Sequence, residues 1–166
     1  MLLRQNTKEQ HEAAEQTAVA SAMGNGTISP QWWADWMGAL LIIHSNVDPY
    51  LSPCLRRTLQ LCNDIAKLNI QPRHCPAATE YASTLTDAIE RGGAEYAFTG
   101  AHLMGGAIIH KRLNGRLPAT HLEWDDRKTA IEIWKPLRDR EDLVEAAQRA
   151  FSAAMSICKQ IEAHDA

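Results

Sequence analysis

The chain has 166 residues, which is long enough for one domain with a substantial buried core. Apolar residues make up 45% and charged residues 22%, as in ordinary globular proteins, and the net charge of -3 speaks against nonspecific binding of nucleic acid. The most apolar stretch, 36–43, is too short to cross a membrane, and the N-terminus lacks the apolar run of a secretory signal. We therefore expect a cytoplasmic protein with neither a membrane segment nor a nucleic-acid partner.

Turn signals divide the chain into helices, and no segment has the alternating pattern of a strand. The first predicted helix, 3–23, ends at Gly24-Asn25-Gly26, and the second, 30–46, begins with Ser29 as N-cap and Pro30 in its first turn. The remaining predicted helices cover 53–68, 77–91, 94–113, 127–134 and 140–163. The helix 77–91 is expected to stop at Gly92-Gly93, and two prolines predict a loop over 71–76. The sequence thus predicts an all-α protein with one domain over residues 1–166.

The cysteines at 54, 62, 75 and 158 form no C-x-x-C pair, so free thiols are expected. A zinc site built from Cys54, Cys62, His74 and Cys75 matches no standard ligand spacing. A carboxylate-bridged di-iron centre uses paired E-x-x-H motifs, and no histidine here has a glutamate three residues before it.

The first predicted helix carries a histidine on a stripe of mostly small residues. The positions of Leu3, Thr7, His11, Ala14 and Ala18 fall on one face at helical spacing, with room beside His11 for a large group. Imidazole is a common metal ligand, although a lone histidine on such a face is more often a core or boundary residue. Spacing alone leaves both interpretations open.

Two charged residues flank His11 at helical distances. Arg4 lies two turns earlier, about 10.5 Å along the axis, and Glu15 lies one turn later. A carboxylate at that position can accept a hydrogen bond from the second ring nitrogen of a ligating histidine.

The predicted helix 94–113 is rich in glycine, at 100, 105 and 106, and each glycine costs about 1 kcal/mol relative to alanine. Close packing between helices is one compensation, and the residues alone favour it. The other is a flat ligand that lies against the helix backbone.

The segment 3–15, LRQNTKEQHEAAE, resembles the opening helix of heme oxygenases, in which the pattern L-(K/R)-x-x-T-x-x-x-H-x-x-x-E carries the proximal ligand of the heme iron. The resemblance implies that His11 is the iron ligand, that Arg4 contacts a heme propionate and that Glu15 is the acid beside the ligand.

The segment 96–106, YAFTGAHLMGG, is similar to the distal helix of the same family, especially of the bacterial group associated with bacteriophytochromes. By this resemblance Tyr96 lies near a propionate, Gly105 and Gly106 lie above the iron, and Gly100 and Ala101 contact heme. The segment 145–151 also looks similar, and Arg149 is assigned as a second propionate cation, with a solvated arginine as the alternative.

The distal side departs from the mammalian-type enzymes, which carry an aspartate and a tyrosine where this chain has His102 and His44. Two neutral histidines can hold a water network, because each ring both donates and accepts. Alternatively, His102 ligates the iron directly and gives a less reactive, six-coordinate heme.

The resemblance as a whole implies a helical bundle with heme between the first helix and the glycine-rich helix. Heme and its iron are then both substrate and cofactor. The expected reaction is cleavage of heme to biliverdin, carbon monoxide and ferrous iron, with O2 and electrons from a ferredoxin or a reductase, and with a bilin-accepting protein as a possible further partner. The alternative is a heme-binding or heme-delivery protein with two histidine ligands and no turnover.

Overall fold

The computed structural model describes all residues from 1 to 166, and it consists of helices without a strand. The α-helices, numbered α1 to α11, are Leu2–Asn6, Lys8–Glu15, Ala18–Asn25, Pro30–Val47, Thr58–Leu68, Pro76–Ser83, Ala88–Ala94, Gly100–Met104, Gly106–Leu113, Arg127–Trp134 and Val144–Ala163. A π-helical segment, Glu95–Thr99, joins α7 to α8. Buried apolar residues from Leu3 to Ile161 belong to one core cluster, so the prediction of a single all-α domain is confirmed. No helix is both long and apolar enough to cross a membrane.

The two long helices are the frame of the bundle. Helix α4 begins as predicted, with the Ser29 side chain accepting a hydrogen bond from the Trp32 amide and Pro30 in the first turn. Helix α11 packs against α7, α2, α3, α6 and α4. The first half of its buried face is alanine, at Ala146, Ala147 and Ala150, which lets neighbouring helices approach closely.

The prediction of one continuous N-terminal helix over 3–23 is wrong. The backbone leaves helical geometry at Thr7, with φ -110° and ψ 3°, and again at Thr17, which caps α3. Thr7 is buried and its hydroxyl donates to the Leu3 carbonyl, so tertiary burial fixes the first break. Helix α2 between the breaks has no fully buried residue, and the expected stripe ends there.

The prediction that Gly92-Gly93 ends a helix is also wrong. Helix α6 ends earlier, and α7 begins after Asp87, whose side chain accepts from the Glu90 amide, and continues through both glycines. A Cβ on Gly93 would lie 2.5 Å from the Ala146 carbonyl carbon, and one on Gly92 would lie 2.8 Å from Leu143. The two glycines therefore allow α7 to lie directly against the start of α11.

The predicted helix 94–113 is interrupted twice. The π-helical segment comes first, and a break at Gly105 then separates α8 from α9, which ends at Asn114 with φ 49°. Short π-helical turns and helix interruptions of this kind are frequent at functional sites. The chain therefore has an irregular backbone along the segment whose motif resembles the distal helix.

Candidate functional site

His11 lies on α2 with its side chain 49% exposed, and not in the core. Its Nε2 atom lies 3.5 Å from a carboxylate oxygen of Glu15, as the spacing predicts. Its ring meets Phe151 of α11 edge-on, with ring centroids 5.2 Å apart. The imidazole is thus held on one side and open on the other.

Phe151 also connects His11 to the glycine-rich segment. Its ring meets that of Tyr96 at 6.2 Å, and Tyr96 stacks on Trp134 with centroids 5.6 Å apart and planes 7° apart. Burial raises the pKa of Tyr96, while a hydrogen bond with Thr7 and the nearby cations of Arg138 and Arg4 oppose the rise. Arg4 itself is exposed, and it lies at the end of the site where the N-terminal helices meet Tyr96.

The N-terminal helices and the glycine-rich segment meet again at their other ends, where α3 packs on α9. A Cβ on Gly26, whose φ is 71°, would lie only 2.2 Å from the Arg112 carbonyl oxygen, so this contact is very close. The two stretches therefore run side by side between two fixed points. Helix α2 with His11 lies in the middle of one stretch, and the break at Gly105 lies in the middle of the other.

The middle of the glycine-rich segment presents an apolar stripe to solvent. Ala101, Met104, Gly105 and Ile108 follow one another at helical spacing and are wholly or partly exposed, with Met104 at 49% and Ile108 at 60%. Exposed large apolar residues that share one helix face are typical of a surface that binds something.

The three glycines of this segment differ in what they face. A Cβ on Gly100 would lie 2.5 Å from Trp134, and one on Gly106 would lie 3.1 Å from Leu122. Close packing thus accounts for both, and the heme contacts assigned to them stay predictions that this geometry does not support. A Cβ on Gly105 would meet only the Ala101 carbonyl oxygen, at 3.3 Å, so Gly105 leaves open space beside the stripe.

His102 and His44 come together in the interior. Their Nε2 atoms lie 3.3 Å apart, and the Nδ1 atom of His44 lies 3.1 Å from an oxygen of Asp48. Both rings are almost completely buried. The second oxygen of Asp48 accepts from the backbone amides of Arg57 and Thr58 and from the Thr58 hydroxyl, so the carboxylate is firmly held.

A third histidine, His121, completes this cluster. Its ring lies 5.4 Å from that of His102, and its Nδ1 atom lies 2.7 Å from an oxygen of Asp64. Asp64 also accepts hydrogen bonds from the Thr120 amide and hydroxyl. Sequence reasoning missed this pair, because 57 residues separate its two members and neither lies in a recognisable motif.

Burial and hydrogen bonding set the charges in this histidine cluster, which consists of His44, His102, His121 and the two aspartates. Burial, together with the neighbouring histidines, holds the pKa of His102 well below its usual value, and burial also lowers the pKa of His121. Burial alone would raise the pKa of each aspartate, but hydrogen bonds from the histidines and threonines outweigh it and lower the pKa of both. The cluster therefore combines two neutral rings, those of His102 and His121, with two charged carboxylates.

A cation, Arg57, borders the cluster on the side of Trp124. The Arg57 guanidinium lies 3.8 Å above the Trp124 ring and donates to the carbonyls of His121 and Glu123. No three histidine, cysteine, aspartate or glutamate side chains are arranged to hold a metal ion. All four cysteines are free.

Arg149 lies among carboxylates. It forms ion pairs with Glu90 and, at 3.8 Å, with Glu145, and its side chain is half exposed. A cavity of about 480 Å³ borders Arg149 but does not reach His11, Tyr96 or the glycines at 100, 105 and 106. The geometry favours the alternative of a solvated arginine, and the propionate contact stays a prediction without structural support.

An all-helical bundle with an open imidazole beside a glycine-interrupted helix has the architecture of the heme-degrading helical proteins. The family model for heme oxygenase matches residues 1–160, and the chain belongs to the heme oxygenase family. Among curated proteins, no sequence matches significantly.

Solved structures with the same fold are bacterial heme oxygenases. Heme oxygenase-1 from the cyanobacterium Synechocystis, in complex with heme, has a TM-score of 0.83 and 18% identity, and the match covers 98% of this chain and 91% of that one. The heme oxygenase from Leptospira interrogans has a TM-score of 0.82 and 16% identity, and the match covers 96% of this chain and 97% of that one. Heme oxygenase-2 from Synechocystis, in complex with heme and NO, has a TM-score of 0.80 and 21% identity, and the match covers 98% of this chain and 84% of that one. At these identities the likeness establishes the fold.

Proposed function

We propose that this protein binds heme through His11 and cleaves it oxidatively to biliverdin, carbon monoxide and ferrous iron. The observation that carries the proposal is the half-exposed imidazole of His11 on α2, alongside the open apolar stripe of the glycine-rich segment. Membership of the heme oxygenase family supports it.

The residues present fit heme. The stripe of Ala101, Met104 and Ile108 offers an apolar surface to one face of a porphyrin, and Gly105 leaves space for close approach. His11 supplies an imidazole to the other face, with Glu15 beside the ring to fix its orientation. Arg4, at the Tyr96 end of the site, is the cation for a propionate. Heme, as substrate, supplies the iron at which O2 is reduced.

The distal residues control protons and water in this proposal. The Nε2 atom of His102 is engaged by His44, and its ring is buried at 4% exposure, which favours a role in proton and water ordering over direct ligation of iron. The apolar stripe excludes bulk water from the bound face, so protons reach it through the protein side chains.

The electron donor, a ferredoxin or a reductase, and a bilin-accepting protein belong to this proposal as the expected partners. The assignment to the bacteriophytochrome-associated group and the cytoplasmic location also stay predictions.

The test compares His11→Ala with wild type and with His74→Ala, an exposed histidine in the loop before α6. Each protein is titrated with heme, its Soret band is recorded, and bilin formation is followed after addition of an electron donor. We expect wild type and His74→Ala to bind heme and to form bilin. His11→Ala should lose the Soret band of histidine-ligated heme and should form no bilin. Unchanged affinity and spectrum in His11→Ala would refute the proposal.

A further inference from the structure

The outer two histidines of the cluster are each fixed by a carboxylate. Asp48 faces Nδ1 of His44, and Asp64 faces Nδ1 of His121. Ionised carboxylates only accept hydrogen bonds, so both Nδ1 atoms carry hydrogen. In the neutral rings the Nε2 atoms of His44 and His121 are then acceptors.

His102 lies between these two rings. Because Nε2 of His44 is an acceptor, the Nε2 atom of His102, 3.3 Å away, donates to it. This leaves Nδ1 of His102 as an acceptor. Neither this atom nor Nε2 of His121 makes a hydrogen bond of normal geometry, and the His121 carbonyl lies close enough to the His102 ring to favour an added proton there. Each of these two neighbouring rings has one nitrogen with an unused lone pair, so the pair of rings can bind one additional proton.

We propose that His44, His102 and Asp48 form a proton store, a group of side chains that holds one transferable proton. Asp64 and His121 hold this group in position. The inference rests on the proposed function, since heme cleavage is what consumes the proton. A proton from a hydronium ion forms a new N–H bond at Nδ1 of His102 and a water molecule is released, while the proton on its Nε2 passes to Nε2 of His44. His102 is neutral again with its hydrogen moved from Nε2 to Nδ1, and His44 carries the positive charge. Delivery reverses these transfers.

The positive charge of the stored proton lies on His44 and not on His102, because the two rings have different neighbours. Asp48 lies 3.1 Å from His44, whereas His102 has no carboxylate beside it. The charged and titratable groups around the two rings are Asp48, Arg57, His121 and Asp64. Burial, the other two histidines and Arg57 together outweigh the His121 carbonyl and disfavour a charged His102, which therefore passes the proton on without keeping it.

The store lies beside the open face of the glycine-rich segment. His102 and Gly105 are three residues apart, so they are neighbours on the helix surface, and the space beside Gly105 is open. His102 is the member of the cluster on the same segment as the stripe, and it is also the ring through which the proton passes.

The first test is a titration of the protein without heme, with ¹⁵N-labelled histidines followed by NMR over roughly pH 8 to 5, where histidines change charge. We expect His44 to begin as the Nδ1–H form and become doubly protonated, while His102 stays neutral and changes from Nε2–H to Nδ1–H in the same step. His121 should remain Nδ1–H. A doubly protonated His102, or a His102 that keeps one tautomer throughout, would overturn the inference.

Asp48→Asn tests the residue that holds the charge. An amide in place of the carboxylate donates to Nδ1 of His44, so we expect His44 to stay neutral as the Nε2–H form and His102 to be Nδ1–H at every pH. Asp35→Asn is the matched control, because Asp35 is equally buried but pairs with Arg73, and it should titrate as wild type. Wild-type titration in Asp48→Asn would overturn the assignment of Asp48. The wild-type titration decides the inference even if this variant does not fold.

Turnover separates the two proposals. With an electron donor in excess, Asp48→Asn should keep the wild-type heme affinity and Soret band, while kcat falls by roughly a hundredfold, as for loss of a proton-transfer group. Wild-type protein that shows the tautomer change but leaves heme intact would refute the proposed function and leave the store in place. Wild-type protein that cleaves heme with His102 locked in one tautomer would refute the store alone.

Discussion

The ring of His11 meets the ring of Phe151 edge-on, with centroids 5.2 Å and planes 85° apart. Phe151 also contacts Tyr96, so a single side chain of α11 touches both sides of the candidate heme site. An aromatic pair of this geometry is worth about 0.5–1.5 kcal/mol beyond the area that it buries. The position of the His11 imidazole therefore depends on a residue outside both motifs that resemble the family.

Phe151→Leu should weaken heme binding by about two- to twelvefold, which corresponds to loss of that aromatic contact. The measurement is a heme titration followed at the Soret band. Phe98→Leu, which changes the chain's other phenylalanine, is the control, because Phe98 contacts Tyr81 and not His11. Equal heme affinity in both variants would show that Phe151 does not hold the ligand.

Gly105→Ala separates heme contact from packing. Because a Cβ there meets no other helix, we expect the free energy of unfolding without heme to change by less than about 1 kcal/mol. Heme affinity should fall at least about fivefold, since about 1–3 kcal/mol of overpacking then arises only in the complex. Gly24→Ala, with nothing within 4 Å of the new Cβ in α3, should leave heme affinity unchanged and raise stability by no more than about 1 kcal/mol. Unaltered heme binding by Gly105→Ala would place the heme elsewhere.

Gly93→Ala should act in the opposite way. The new Cβ would lie 2.5 Å from the backbone of α11, so the helices must move apart. We expect a loss of about 1–3 kcal/mol of stability, or roughly 2–12 °C in Tm, with heme affinity of the folded protein unchanged. Thermal unfolding monitored by circular dichroism, again beside Gly24→Ala, measures this. A Tm within a degree of wild type would contradict the packing account of Gly93.

Local signals were sufficient where local forces decide the structure. Ser29 and Pro30 correctly predict the start of α4, and α10 occupies the predicted residues 127–134. The sequence could not reveal the break at Thr7, because burial imposes it on a segment with good helical spacing. The break at Thr17 is local, since its side chain caps α3, and the helical spacing concealed that signal.

In the candidate site, too, the sequence predicted only the features that local interactions decide. The motif around His11 and Glu15 is local and was readable, whereas Gly100 and Gly106 are explained by Trp134 and Leu122, which are distant in sequence. The Asp64–His121 pair likewise exists only through folding. Packing partners and carboxylate–histidine pairs that are distant in the chain produce no periodic pattern in a single sequence, so they could not be predicted from it.

The buried histidines also predict how stability depends on pH. Burial lowers the pKa of His102 and His121 in the folded protein below the unfolded value of about 6.5. The unfolded chain then takes up protons at a higher pH than the folded one, so the stabilisation is complete above about pH 6.5 and is lost as the pH falls below it. Each group contributes a slope of up to about 1.4 kcal/mol per pH unit. The two aspartates add their own loss only below their unfolded value of 3.8.

Urea unfolding of the protein without heme at pH 7.5, 6.5, 5.5 and 4.5 measures that slope. We expect the free energy of unfolding to fall below about pH 6.5, and His121→Gln to reduce the slope by about one proton's share, whatever its stability at pH 7.5. The slope is the quantity to compare, because loss of the Asp64 hydrogen bond lowers stability at every pH, whereas loss of a buried neutral ring changes the number of protons taken up on unfolding. An identical slope in the variant would mean that His121 is protonated in the folded protein, with its second proton on the Nε2 atom that faces the cluster.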